Sequence, residues 1–196
     1  MRKALNYIQR HFEDRITLRA LAEASGLSPN HLQSLFVRIV GLSPKALFDY
    51  LRLVRLKRLL RSEESVAAAS YAAGYGSIRA LYEKANRMLG MTPATYRDGG
   101  PGIDVRYATS DVSFGHVLLA TSNVGICTVL LGLEDDQLIQ RLCDEFPHAV
   151  LTPERKLPGA WRTAIDDCQR EDPLLSRTQI PIRRDVFLAR VWHALL

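Results

Sequence analysis

Asn30, His31, Gln33, Ser34 and Arg38 are interleaved with Leu32, Leu35, Phe36 and Ile39, an apolar set at helical spacing. With the apolar set turned to a core, the polar five lie outward on one helix. Asn and Gln can each bond an adenine edge through two hydrogen bonds, and His and Ser reach bases or phosphates. A plainly solvated helix would more often carry Glu and Lys there. Just upstream, Ser28 is placed to cap the helix and Pro29 to occupy its first position. A helix entering a major groove brings its N-terminal residues closest to the base edges, so Asn30, His31, Gln33 and Ser34 are the candidate base contacts. Ser28 and Arg38 are candidate contacts to the phosphate backbone.

The segment before this helix shows how it would be positioned. Leu18-Arg-Ala-Leu-Ala-Glu-Ala-Ser-Gly26 is a periodic run that stops at a glycine, the residue that most easily takes a left-handed turn. Together the two stretches form a helix-turn-helix pattern. A second copy follows in Val66-Ala-Ala-Ala-Ser-Tyr-Ala-Ala-Gly74-Tyr-Gly-Ser77, with Ser77 as the next cap. In its second helix Leu81, Ala85 and Leu89 face inward, leaving Ile78, Arg79, Tyr82, Glu83, Asn86 and Arg87 outward. Arg79 suits guanine or phosphate, Ile78 a thymine methyl, and Tyr82 completes the candidate base-reading set. Glu83 repels phosphates unless it accepts from cytosine. Ser77, Lys84 and Arg87 are candidate backbone contacts. This unit either reads bases or clamps the backbone, which supplies affinity and register without sequence information.

These patterns predict helices at roughly 17–25, 28–40, 44–61, 64–73 and 77–89, after an opening helix marked by Ala4, Leu5, Ile8 and Phe12. The long middle helix has an apolar stripe of Leu53, Leu56 and Leu60 and could act as a rigid spacer between the two units. Arg52, Arg55, Arg58 and Arg61 fall on its remaining surface, as solvated charge or as phosphate contacts; Arg52, Arg55 and Arg58 are the backbone candidates.

Charge supports the first half as the nucleic-acid side. Residues 1–100 hold 16 Lys and Arg against 8 Asp and Glu, a net +8; residues 101–196 hold 10 against 13, a net −3, so the whole chain is +5. A basic half beside an acidic one points to one half meeting a polyanion, although a basic surface can also be mere solvation. The 47% hydrophobic content of the 196 residues supports one or two ordinary cores. No apolar run of about 18 residues is present to span a membrane. The three cysteines, Cys127, Cys143 and Cys168, are widely spaced, and no secretion signal precedes them. They predict free thiols in the cytoplasm and no zinc finger. Nothing in the pattern calls for a metal ion or other cofactor.

Asp98-Gly-Gly-Pro-Gly102 has turn chemistry and predicts a boundary, with 99–102 as the linker after a helical domain 1–98. Beyond it, 105–110, 114–121 and 125–131 read as strands of an antiparallel meander, with turns at Asp111-Val-Ser113 and Ser122-Asn123. Glu134 to Glu145 reads as a helix that packs Leu138, Ile139, Leu142 and Phe146 on that sheet. A helix at 157–169, a strand at 179–182 and an amphipathic helix from Val186 complete the expectation. The last of these carries Val191, Trp192, Ala194, Leu195 and Leu196, an apolar face suited to self-association or a docked partner.

The two helix-turn-helix units, the Ser43-Pro44 helix start, and Leu89-Gly-Met-Thr-Pro-Ala-Thr-Tyr-Arg97 resemble the AraC/XylS family of transcription regulators over about residues 5–97. Four further stretches resemble the family's adaptive-response branch: Tyr82 to Thr92, Arg97 to Gly100, Val105-Arg-Tyr-Ala108, and Gly125 to Gly132. In that branch an AraC-type unit precedes a methylguanine methyltransferase. The resemblance implies an all-α tandem helix-turn-helix domain followed by a small α/β, ribonuclease-H-like domain at 103–183. Phe187 to Leu195 would form the first helix of a catalytic subdomain, 184–196. It also implies double-stranded promoter DNA and RNA polymerase as partners, and a role in the response to DNA alkylation.

This chain departs from that branch at the residues that do its methyl transfer. The acceptor Pro-Cys-His-Arg, a thiolate activated by a neighbouring histidine, does not occur in the sequence. Arg184-Asp185 replaces the Gly-Thr expected before the Phe187 helix, and no four-cysteine zinc domain precedes the first unit. Cys127 falls in an expected strand, Cys143 and Cys168 in expected helices, none beside a histidine. The reading is therefore a regulator that is not an enzyme as it stands, lacking both ends of the full architecture. The alternative is a remnant of a methylated-DNA–protein-cysteine methyltransferase.

Overall fold

A computed structural model describes residues 2–11, 16–40, 43–62, 65–112 and 115–155. Its helical half contains α1 (Arg2–His11), α2 (Leu18–Ser25), α3 (Pro29–Val40), α4 (Pro44–Ser62), α5 (Val66–Ala72), α6 (Ile78–Leu89) and α7 (Pro93–Arg97). One local device recurs. The Thr17 hydroxyl accepts from the Ala20 amide at the start of α2, and the Ser65 hydroxyl accepts from the Ala68 amide at the start of α5. Each of these helices then ends in a glycine with positive φ, Gly26 at 70° and Gly74 at 82°. At the first, the Leu27 amide bonds the Ala22 carbonyl and the Gly26 amide the Glu23 carbonyl; at the second, Tyr75 bonds Ser70 and Gly74 bonds Tyr71. This double bond pattern satisfies the last free carbonyls of a helix and reverses the chain tightly. The two pairs α2–α3 and α5–α6 are thus built alike, as the glycine spacing predicts.

The central helix α4 is 19 residues long, about 28 Å at the usual rise. It departs from the single stripe expected of it. Leu47, Tyr50 and Leu51 are buried as well as Leu53, Leu56 and Leu60. At about 100° per residue these two sets lie on nearly opposite sides of the helix. The first set lies in the half that follows α3, the second in the half that leads to α5. One rod thereby completes the cores of both units, and α4 packs against α3, α5 and α7.

The second half contains β1 (Asp104–Val112), β2 (Gly115–Thr121), β3 (Ile126–Gly132), α8 (Asp135–Glu145) and β4 (Val150–Pro153). β1, β2 and β3 form the expected antiparallel meander, with Arg106 opposite Thr121 and His116 opposite Gly132. Two features correct the expectation. β1 runs on through Asp111 and Val112, so those residues are strand and not turn. A fourth strand, β4, pairs with β1 in parallel, giving the order β3-β2-β1-β4 and a mixed sheet. β4 is a four-residue edge strand ending in proline, too short to carry an alternation signal. α8 covers the sheet through Leu138 and Leu142, with Phe146 buried beyond its end, as its periodicity predicts. At its start, the Thr109 hydroxyl donates to Asp135, and His116 Nδ1 lies 3.1 Å from both Asp111 and Asp135.

The two halves pack directly on each other. Buried residues form one cluster running from Ala4 and Ile8 to Phe146. The turn at 98–102 is pinned where the His148 amide bonds the Gly99 carbonyl at 2.9 Å. The expected helix at 157–169, strand at 179–182, terminal helix and Cys168 lie outside the described residues.

Candidate nucleic-acid interface

Leu32 and Phe36 are fully buried on α3, which fixes the rotation of that helix and turns the intervening positions out. Asn30, His31, Gln33, Ser34 and Arg38 are all exposed. Four of them, Asn30, His31, Ser34 and Arg38, line one concavity of about 400 Å³ together with Leu35. The Ser28 hydroxyl accepts from the His31 amide at 3.3 Å and so sits at the mouth of α3. Helix N-termini favour anionic groups because their first amides point outward, whereas Arg38 offers its positive charge separately, from the last turn of α3.

On α6, Leu81 and Leu89 are fully buried, so Ile78, Arg79 and Glu83 face out and Tyr82 is half-buried. Arg79 Nε donates to Glu83 at 2.9 Å. Such an exposed pair, four residues apart, is worth only about 0.3–0.5 kcal/mol, so a base or phosphate can displace it. Ser77 precedes the helix, and its carbonyl accepts from the Leu81 amide. The side chains of Lys84, Asn86 and Arg87 lie outside the described residues.

The structure divides the arginines of α4. Arg52 stacks over the Tyr75 ring, 5.6 Å from its centroid, and lies 4.0 Å from Asp49. Burial pushes the Tyr75 hydroxyl up to about 12, partly opposed by the Arg52 charge. Arg55 is half-buried, and Arg58 and Arg61 are exposed. Arg61 Nη2 donates to the Glu145 carbonyl at 2.7 Å and lies over the Tyr96 ring.

Lys57, Tyr96 and Glu145 form a network that the sequence alone did not bring together. Lys57 Nζ lies 2.7 Å from Glu145 Oε1 and 2.9 Å from the Cys127 carbonyl it also bonds. The Tyr96 hydroxyl donates to the same carboxylate at 2.9 Å. Burial works to raise the Glu145 carboxyl, but the Lys57 charge and the hydrogen bonds from Lys57, Tyr96 and Thr128 outweigh it and hold it below its ordinary value. Burial, with the Glu145 charge next, raises the Tyr96 hydroxyl well above its own. These residues come from α4, α7 and α8, far apart in sequence, and no local spacing marks them. They bolt the end of α4 to the sheet-bearing half. A second fastening joins the end of α6: the Ser122 hydroxyl donates to the Gly90 carbonyl, and α6 packs on β3.

Two glycine-turned helix pairs on one shared rod, each with an exposed second helix, define a helix-turn-helix protein. Residues 21–99 match the family described as helix-turn-helix domain. Over 184 residues, 93% of the chain, the sequence is 38% identical to the bifunctional transcriptional activator/DNA repair enzyme Ada of Escherichia coli (strain K12). It is 37% identical over the same share to regulatory protein ada of Salmonella typhimurium (strain LT2). The chain spans about half the length of these relatives, 52% of each. A solved transcriptional regulator with an AraC-type DNA-binding domain from Chromobacterium violaceum matches 51% of this chain and 90% of its own, with 23% identity and a TM-score of 0.45. Residues 21–99 thus match a helix-turn-helix domain, and most of the chain is similar in sequence to these two relatives.

Proposed function

We propose that this chain is a sequence-specific, DNA-binding transcription regulator tied to the response to DNA alkylation. The observation that carries the reading is the exposed polar face of α3, held outward by the buried Leu32 and Phe36. In this reading Asn30, His31, Gln33 and Ser34 read bases from the first unit, and Ile78, Arg79 and Tyr82 from the second. Ser28, Arg38, Arg55, Ser77, Lys84 and Arg87 hold phosphates. Arg52, engaged with Tyr75, and Arg58, near the seam with α8, complete that backbone set. Promoter DNA is the partner, with RNA polymerase and a second copy of the chain as further ones, and the cytoplasm is the site of action. Among the described residues no helix is long and apolar enough to cross a membrane.

The sheet-bearing half is read as the ribonuclease-H-like subdomain that precedes a methyltransferase's catalytic part. No methyl acceptor is assigned within these residues, because Cys127 is fully buried in β3 and Cys143 is half-buried in α8. Incubation with DNA carrying a radiolabelled O6-methylguanine should leave the chain unlabelled; label on any of the three cysteines would restore the enzyme reading.

Selection of duplexes from a random library tests the central point. An enriched sequence is expected, bound with an affinity that falls steeply as salt rises, since each neutralised phosphate adds about 0.9 to the slope of log K against log salt. Arg38→Ala should weaken every duplex and lower that slope by about one. No enrichment and no binding at low salt would refute the proposal.

A further inference from the structure

Leu32 and Phe36, both fully buried, set the inward direction of α3. At about 100° per residue, Ser34 lies almost opposite their midline, Asn30 and Arg38 about 40° from that outward direction, and Val37 about 60°. Gln33 lies farther round, at about 100°. Val37 is thus closer to the outward ridge than one of the polar residues read as a base contact. It is 43% exposed, one of six large apolar side chains exposed among the described residues. Another of the six is Ile78, 41% exposed, at the first position of α6. Packing does not call for an apolar group at the place Val37 holds. The Ser28 and Ser77 carbonyls open α3 and α6 alike, accepting from the Leu32 and Leu81 amides. Nine residues beyond these serines stand Val37 and Asn86, so the same place is polar in the second unit.

We propose that Val37 is a specificity-determining residue that reads the 5-methyl group of a thymine in the major groove. The inference rests on the reading of α3 as the helix that enters that groove. The thymine methyl is apolar and projects there, where small apolar groups contact it. Val37 has no hydrogen-bonding side-chain atom, so a methyl is the feature of a base edge that it can distinguish. A branched side chain is also stiff about its first torsion, so holding it against a methyl costs little conformational freedom. Gln33 stands four residues before Val37 and Ser34 three, which makes all three neighbours along one side of the helix. A glutamine there suits an adenine edge. Gln33 and Val37 together select adenine and thymine at neighbouring positions of the half-site.

Fluorescence anisotropy of the full chain tests the contact, on copies of the selected duplex in which each thymine in turn is replaced by deoxyuridine. Deoxyuridine lacks the methyl and keeps every hydrogen-bonding group. One such replacement is expected to weaken wild-type binding about 4-fold, the worth of burying one methyl group. Val37→Ala should bind the thymine and deoxyuridine forms of that duplex equally, and its melting temperature reports that the exposed position leaves the fold intact. A wild type indifferent to deoxyuridine at every position would overturn the proposal. So would a Val37→Ala chain that keeps the wild-type penalty at every position, which gives the methyl contact to another residue such as Ile78. Loss of affinity by Val37→Ala for all duplexes alike, with the deoxyuridine penalty intact, would overturn it as well. In these three cases a duplex is still bound and the reading of α3 stands, whereas failure to bind any duplex at low salt would overturn both.

Discussion

Glu145 shows how much one side chain can hold. It receives Lys57 and Tyr96 on one carboxylate oxygen, while its own carbonyl takes Arg61. Removing one member of a buried pair strands the other's charge, at a cost of about 3 kcal/mol. Glu145→Ala is therefore expected to lower unfolding stability by about that amount in urea titration, and Glu145→Gln by less. The carboxyl is held below its ordinary value in the folded chain. Its stabilising contribution is therefore present above the ordinary carboxyl range and is lost as pH falls through the depressed value. Stability measured from pH 7 downward should fall more steeply in the wild type than in Glu145→Gln. Parallel pH profiles would remove this residue from the account of the joint.

Among the elements, capped and glycine-stopped helices were legible because their signals are local. Ser28-Pro29 and Gly26 lie within a few residues of the ends they define, and the Leu32–Phe36 spacing fixes which face turns out. β4 was not legible, since four residues ending in Pro153 carry no period, and its parallel partner β1 lies more than forty residues earlier. Nor was the second buried face of α4, because Leu47, Tyr50 and Leu51 blend with Leu53, Leu56 and Leu60 into a helix that looks apolar on several sides. Glycine positions separate local from tertiary constraint. A Cβ at Gly26 would meet nothing within 4 Å, whereas one at Gly90 would lie 2.6 Å from Cys127 Sγ and 2.9 Å from the Gly125 carbonyl. Both have φ of 70°. Gly26→Ala should cost about 1 kcal/mol for conformation alone. Gly90→Ala adds overpacking of about 1–3 kcal/mol and should lower the melting temperature further. Equal losses would mean that α6 is not seated on β3 as described.

The molecule as a whole joins a basic helical half to an acidic sheet-bearing half through a seam rather than a free linker. The charge division was legible from composition. The seam was not, because Lys57, Tyr96, Ser122 and Glu145 announce themselves by no pattern and meet only when the halves pack. Fastened at Glu145 and at Gly90, the second helix pair is braced by the sheet, whereas the first pair meets the rest of the described packing mainly through α4. The most direct test compares the affinity of the full chain for its selected duplex with that for a scrambled one, by fluorescence anisotropy at one salt concentration. The account predicts that Asn30→Ala/Gln33→Ala reduces this ratio by roughly 10-fold or more, each good base contact being worth about 1–3 kcal/mol, while affinity for the scrambled duplex holds. A double variant that discriminates as well as the wild type would contradict it.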